Sequence, residues 1–174
     1  MTVQAQTSQT ILAKRSRLKR EVYYRWVWRL KSPPDALWQY AANTDRFNRD
    51  TQLPAITIER DKGELPNAAR RLKMHRFSIG KIKLVPIAWT ESPFEWIKPY
   101  KFGVFRNYST GPVAYMRTMT ELVPLPDGGT EVTYEVWVAP RNLLGAVAIP
   151  LQIGWWSAVN FRRAFQEYDR LAQQ

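Results

Sequence analysis

His75 is the one histidine of this 174-residue chain, and the chain has no cysteine. A metal centre or a nucleophile–base relay built on His75 would need ligating or orienting companions that the sequence does not supply. Alternating with Met74 and Arg76 in a strand-like run, it reads as a structural or surface residue. Glu91 and Glu95 lie on either side of Pro93 and could work as general acid and base if burial raised one of them. Carboxylates at such a position also accept backbone amides or pair with arginine, and that bland reading is preferred. Arg106 shares a strand face with Phe102, Val104 and Tyr108, and Arg117 shares one with Tyr115 and Met119. A planar guanidinium on an apolar face can anchor a carboxylate or phosphate head group; the alternative pairs it with Glu91, Glu121 or Glu135. The expectation is therefore a binding site: no catalytic residue, no metal ligand and no cofactor is assigned.

Those residues must be held by strands. Val22, Tyr24, Trp26, Trp28 and Leu30 alternate with Tyr23, Arg25, Val27, Arg29 and Lys31, which predicts a half-buried strand. Ser32-Pro33-Pro34-Asp35 stops it and starts a short helix carrying Leu37, Trp38, Ala41 and Ala42, with Ser32 or Asp35 as cap. Asn43-Thr44-Asp45 starts a second, with Arg46, Phe47 and Asn48. Six more strand-like runs follow: Ala55 to Arg60, Arg70 to Ile79, Lys81 to Trp89, Tyr100 to Tyr108, Val113 to Val123 and Thr130 to Ala139. Breakers such as Ser92-Pro93, Thr110-Gly111-Pro112 and Asp127-Gly128-Gly129 separate them.

The last segment, from Asn142 to Gln174, has helical period. Phe161, Ala164, Phe165, Tyr168 and Leu171 share one face, against Arg162, Arg163, Gln166 and Arg170. Gly154 and Ser157 continue the apolar face, so small residues are expected to meet the sheet there and leave a cleft open. Trp155 and Trp156 project elsewhere, either packed under loops or covering the mouth of the cleft. From Leu143 to Val159 there is no charged residue, with Pro150 as a kink or a restart.

The expected fold is α+β: a helix grip in which a seven-stranded curved antiparallel sheet wraps a long C-terminal helix, with two short helices after the first strand. Residues 1–20 form a flexible basic arm and 21–174 a single domain. The sequence also resembles the START-like superfamily known as SRPBCC, which includes polyketide cyclases and lipid-transfer domains. The resemblance runs from about Val22 to Leu171. More narrowly, Leu37-Trp38 with Asn43 to Asn48, Trp89-Thr90-Glu91-Ser92-Pro93-Phe94-Glu95-Trp96, and Arg106 to Pro112 with Gly128-Gly129-Thr130 resemble START-like domains placed ahead of bacterial adenylate/guanylate cyclase domains. That resemblance implies an apolar ligand between sheet and helix, held by a carrier, a sensing module linked to a nucleotide cyclase, or a cyclase-type enzyme.

The expected ligand-binding residues are Trp89, Phe102, Arg106, Tyr115, Met119, Trp137, Gly154, Ser157 and Phe161. For the strand Thr130 to Ala139, Val132, Tyr134 and Val136 compete with Trp137 for the inward face. The net charge is +11, and Lys14, Arg15, Arg17, Lys19, Arg20, Arg25, Arg29 and Lys31 stand against one acid, Glu21, between positions 14 and 31. With Trp155 and Trp156 this basic stretch makes an anionic membrane surface or a partner domain the expected macromolecular contact. Nucleic acid is set aside, because the aromatics alternate as core residues do and no zinc, Gly-rich or ribonucleoprotein motif accompanies them. Lacking cysteine and a signal-like start, the protein is expected in the cytoplasm, at or near a membrane surface.

Overall fold

The computed structural model describes residues 21–43, 46, 50, 56–59, 70–74, 78–79, 82–83 and 87–174; for 56–59, 70–74, 78–79, 82–83, Pro93 and Phe94 it describes the backbone alone. The basic arm, the stretch Lys14 to Arg20, His75 and most of the second short helix lie outside the described residues, although Arg46 and Asp50 are helical.

Strands β1 (Val22–Leu30), β2 (Ile56–Glu59), β3 (Arg70–Met74), β6 (Ile87–Ile97), β7 (Lys101–Tyr108), β8 (Val113–Pro124) and β9 (Thr130–Pro140) form one curved antiparallel sheet. Its order is β1-β9-β8-β7-β6-β3-β2. A separate ribbon pairs β4 (Ser78–Ile79) with β5 (Ile82–Lys83). The main sheet has the expected seven strands, but their bounds differ. The run from Arg70 leaves the sheet after Met74, and the next strand of the sheet starts at Ile87 and passes straight through Ser92-Pro93. Proline is tolerated there because the pairing with β7 slips between Pro93 and Glu95, so a bulge absorbs the missing donor.

Helix α1 (Pro34–Ala41) follows β1, with Leu37, Trp38 and Ala41 buried at helical spacing. Pro33 occupies the cap position and no side chain caps the helix. Ser32 is engaged elsewhere, since its backbone N–H and its hydroxyl both donate to the Asp169 carboxylate, at 2.8 and 2.7 Å, and Lys31 N–H adds a bond at 3.1 Å. Partial burial alone would raise the Asp169 carboxyl, but the donors from Ser32 and Lys31 outweigh it and hold the group below its ordinary value. The β1–α1 junction is thereby tied to the C-terminal helix.

That helix, α2, runs from Leu143 to Ala172. Asn142 caps it by accepting from Gly145 N–H at 3.0 Å. Pro150 does not break it but stands as the first residue of a new helical stretch. From Pro150 to Ser157 the helix widens into π-helical turns and narrows again at Ala158, a local answer to a residue with no N–H to donate. The inward side carries Gly145, Ile149, Asn160, Ala164, Phe165 and Tyr168. Gly145 is required where α2 starts, because a Cβ there would lie 2.1 Å from the Pro112 carbonyl oxygen. The β8–β9 turn is formed as expected: Gly128 has φ of +84°, and Asp127 Oδ1 accepts from Gly129 N–H at 3.1 Å.

Candidate functional site

Pairing fixes which side chains face α2. Trp89 and Glu91 are opposite Tyr108 and Arg106, Phe102 and Val104 opposite Thr120 and Thr118, and these opposite Tyr134 and Val136, which meet Trp26 and Tyr24. All of these residues share the inner face. Three expected ligand residues do not. Tyr115, Met119 and Trp137 lie one position out of phase, on the outer face, where Tyr115 pairs with Asn107 and Ala139, Met119 with Gly103 and Glu135, and Trp137 with Tyr23 and Arg117. Arg117 stacks over the Trp137 ring at 4.2 Å. These three leave the candidate site; within β9, Val132, Tyr134 and Val136 take the inward positions.

Much of the space expected to be a long cleft is filled by rings. Tyr24 stacks on Trp26, with centroids 5.7 Å apart. Phe161 meets Trp26 at 5.5 Å and Tyr134 at 4.8 Å, and Phe165 meets Trp28 at 5.2 Å. Gly154 does not leave a gap: a Cβ there would come within 2.9 Å of Tyr24, so the glycine lets the helix close on that ring. Ser157 is partly exposed, outside the buried face of α2. Of the nine expected residues, Trp89, Phe102, Arg106 and Phe161 belong to the inner face, with Gly154 against it.

Between α1 and the sheet a small cavity remains, lined by Ala41, Phe102, Val104, Arg106, Thr118, Thr120 and Tyr134. Its volume of about 10 Å³ gives room for roughly one water. The walls mix apolar Ala41, Phe102 and Val104 with the hydroxyl-bearing Thr118, Thr120 and Tyr134, and at one end the Arg106 Nε–H donates to Glu91 Oε2 at 2.8 Å, both side chains almost wholly buried. Burial alone would pull the guanidinium down, but the Glu91 carboxylate with Tyr108 and Tyr134 outweighs this, and Arg106 stays charged. Near it, Tyr108 and Tyr134 are both pushed up to about 12, mainly by desolvation, with Arg106 opposing and Glu91 reinforcing the rise. Thr118 hydrogen-bonds the Tyr134 hydroxyl. Trp89, buried on the same face, has an indole N–H with no partner among the described residues.

Chemically this is a charged, donor-rich floor in a partly apolar cup, and among the described residues an acid–base pair is not assembled on it. Glu95 sits beyond the bulge and pairs with Lys101 at 3.4 Å, apart from Glu91. Among the described residues, no three carboxylate or imidazole groups are placed to hold a metal. Reading the sequence assigned Arg106 its place but missed Ala41, Thr118 and Thr120. Their small or polar side chains carry no hydrophobic signal, and only the strand pairing brings them together.

The raised phenols have a consequence in base. In the folded chain Tyr108 and Tyr134 stay neutral to about pH 12, whereas an unfolded tyrosine ionises near 10. Their contribution to stability is thus complete below pH 10 and is lost as the pH rises through 12. Phenolate absorbance should show part of the eight tyrosines titrating only near pH 12 or with base unfolding. A single transition of all of them near pH 10 would contradict the buried placement.

No family model and no curated protein matches the chain. Solved structures do. A conserved protein from Geobacillus kaustophilus superposes with a TM-score of 0.65 at 13% identity, covering 87% of this chain and 97% of the other. The ZhuI aromatase/cyclase from Streptomyces sp. R1128 gives 0.63 at 10% identity, over 89% and 97%. The di-domain aromatase/cyclase StfQ of the steffimycin biosynthetic pathway gives 0.60 at 9% identity, over 86% of this chain and 51% of its own. The chain therefore has the helix-grip fold, a curved antiparallel sheet around a long C-terminal helix, which these aromatase/cyclases also have. At such identities the likeness is one of fold.

Proposed function

We propose that the domain is a non-catalytic binding module for a small, mostly apolar molecule bearing one anionic or hydrogen-bond-accepting group, taken up between α1, α2 and the sheet. The observation that carries this is the buried Arg106–Glu91 pair at the end of a small cup, with the Trp89 indole N–H, which has no partner among the described residues, on the same face. A buried ion pair gives little or no net stability over apolar residues of the same volume, and an orphaned buried donor calls for an explanation. A ligand acceptor supplies one for both. The resting cavity admits about one water, so uptake requires the grip to open. Ala41 brings α1 into the cavity wall, so a displacement of α1 would open it.

The role that fits is carriage or sensing. Phe161 and Phe165, which close on the sheet, belong to the same helix as the exposed residues near Trp155. Opening of the grip would therefore be felt at the surface, as the resemblance to nucleotide-cyclase-associated domains implies for a sensing module. A cyclase-type enzyme is the second reading, supported by the aromatase/cyclases of like fold; it lacks an assembled acid–base pair among the described residues.

Two measurements test the binding reading. Native mass spectrometry of the purified protein, followed by organic extraction, should show a retained small molecule. Tryptophan fluorescence should respond saturably to oleate or 2-naphthoate, with affinity reduced about tenfold or more in Glu91→Leu/Arg106→Met, the scale of a lost charge-assisted hydrogen bond. No retained molecule and no response to either probe, or a response unchanged in the double variant, would overturn it.

A further inference from the structure

The outward side of the first half of α2 has the opposite character from its inward side. Leu143, Val147, Leu151, Trp155 and Val159 recur at every fourth position and are exposed, from 47% at Val159 to 82% at Leu143. The buried Gly145 and Ile149 lie two positions away, which is the other side of a helix. Leu144 and Trp156 widen the stripe. Over these residues the helix is roughly 24 Å long, so this is a continuous ridge of large apolar side chains, a kind of surface that soluble monomers rarely present.

Charge selects the occupant. From Val136 to Gln166 the chain has no aspartate or glutamate, while Arg141 precedes the stripe and Arg162 and Arg163 follow it, all exposed. A second copy laid antiparallel would place Arg141 against Arg162 and Arg163, and a parallel copy would stack like on like; both repel. An anionic leaflet matches both parts, apolar centre and cationic ends. By length and composition the helix Leu143–Ala172 could cross a membrane, but its inward side is held to the sheet along Ile149, Ala164, Phe165 and Tyr168, which leaves only the outer side for lipid. Arg25 and Arg29 of the basic N-terminal stretch do not contribute, since they are on the outer face of β1, with Arg29 ion-paired to Glu131 at 3.4 Å.

We propose that the outward face of α2 from Leu143 to Val159 lies in the interface of an anionic lipid bilayer, its apolar side chains below the head groups and Arg141, Arg162 and Arg163 at their level. The surface is distinct from the cup next to Arg106 and stands whether or not that cup takes a ligand.

Flotation of the full chain with vesicles of phosphatidylcholine alone and of phosphatidylcholine with phosphatidylglycerol tests it. Binding is expected to the anionic vesicles and to weaken with added salt. It should fall about tenfold or more in Trp155→Ser/Trp156→Ser, which removes the largest inserted area. Arg162→Gln/Arg163→Gln should lower it on anionic vesicles only. All four positions are exposed, so unchanged thermal unfolding confirms that the variants fold. Absence of binding to anionic vesicles at low salt, binding indifferent to the Trp pair, or a dimer in sedimentation that the Trp variant dissolves without any vesicle binding would overturn the proposal.

Discussion

Glu91→Ala is expected to cost about 3–5 kcal/mol of folding free energy, the usual penalty for stranding one partner of a buried ion pair. Arg106 is 6% exposed and Glu91 2%. Arginine cannot escape by losing its proton, so removal of the carboxylate leaves a full charge on the face of Val104 and Phe102, with the neutral Tyr108 and Tyr134 beside it among the described residues. Glu91→Gln keeps the shape and an acceptor and should cost less. In Glu91→Leu/Arg106→Met, where neither charge remains, most of the loss should be recovered, because the desolvation of two ions is no longer required. Urea unfolding with an unchanged slope measures all three. If the single and double variants are equally unstable, the pair is held by something other than its own attraction; if Glu91→Ala is neutral, Arg106 is not buried as described. Recovery of stability together with loss of ligand response in the double variant would separate folding from binding at this site.

The helix grip was legible wherever one face of an element carried most of the apolar residues. In β1 the alternation from Val22 to Leu30 gave the correct inward set, because Arg25 and Arg29 mark the other side. In α2, Phe161, Phe165 and Tyr168 were placed correctly for the same reason. β8 and β9 were not legible in this way, since the sheet packs aromatics on both faces: Tyr23 meets Trp137 and Phe105 meets Tyr115 on the outside, while Thr118 and Thr120 line the inside. Choosing the larger rings selected the wrong parity, and a shift of one position moves every side chain to the other face. Arg106 escaped this error because Phe102, Val104 and Tyr108 share its phase. Ser92-Pro93 read as a break because a bulge that tolerates proline depends on the partner strand. Gly154 read as an opening because a small residue says nothing about what fills the space it leaves, here Tyr24.

Phe165→Ala is the substitution that tests whether α2 is held as described, with an expected loss of about 3–5 kcal/mol, the range for deleting a buried phenylalanine. The ring is 1% exposed and stands where three elements meet, 5.2 Å from Trp28 of β1, 6.2 Å from Tyr134 of β9 and 5.9 Å from Tyr168 one turn on. All are rigid, and Tyr168 is further fixed by its hydroxyl donating to Asp50 at 3.0 Å, so collapse into the vacated volume is limited and the upper part of the range applies. Trp155→Ala removes a larger ring from the same helix yet should change stability by no more than about 0.5 kcal/mol, because that side chain is 70% exposed. Unfolding of both variants in urea measures the contrast. Equal effects would mean that α2 buries both sides, which would dissolve the inward grip and the outward apolar ridge together; a large loss at Phe165 with none at Trp155 leaves the tryptophan's exposed ring without a role in folding and free for contact with a surface.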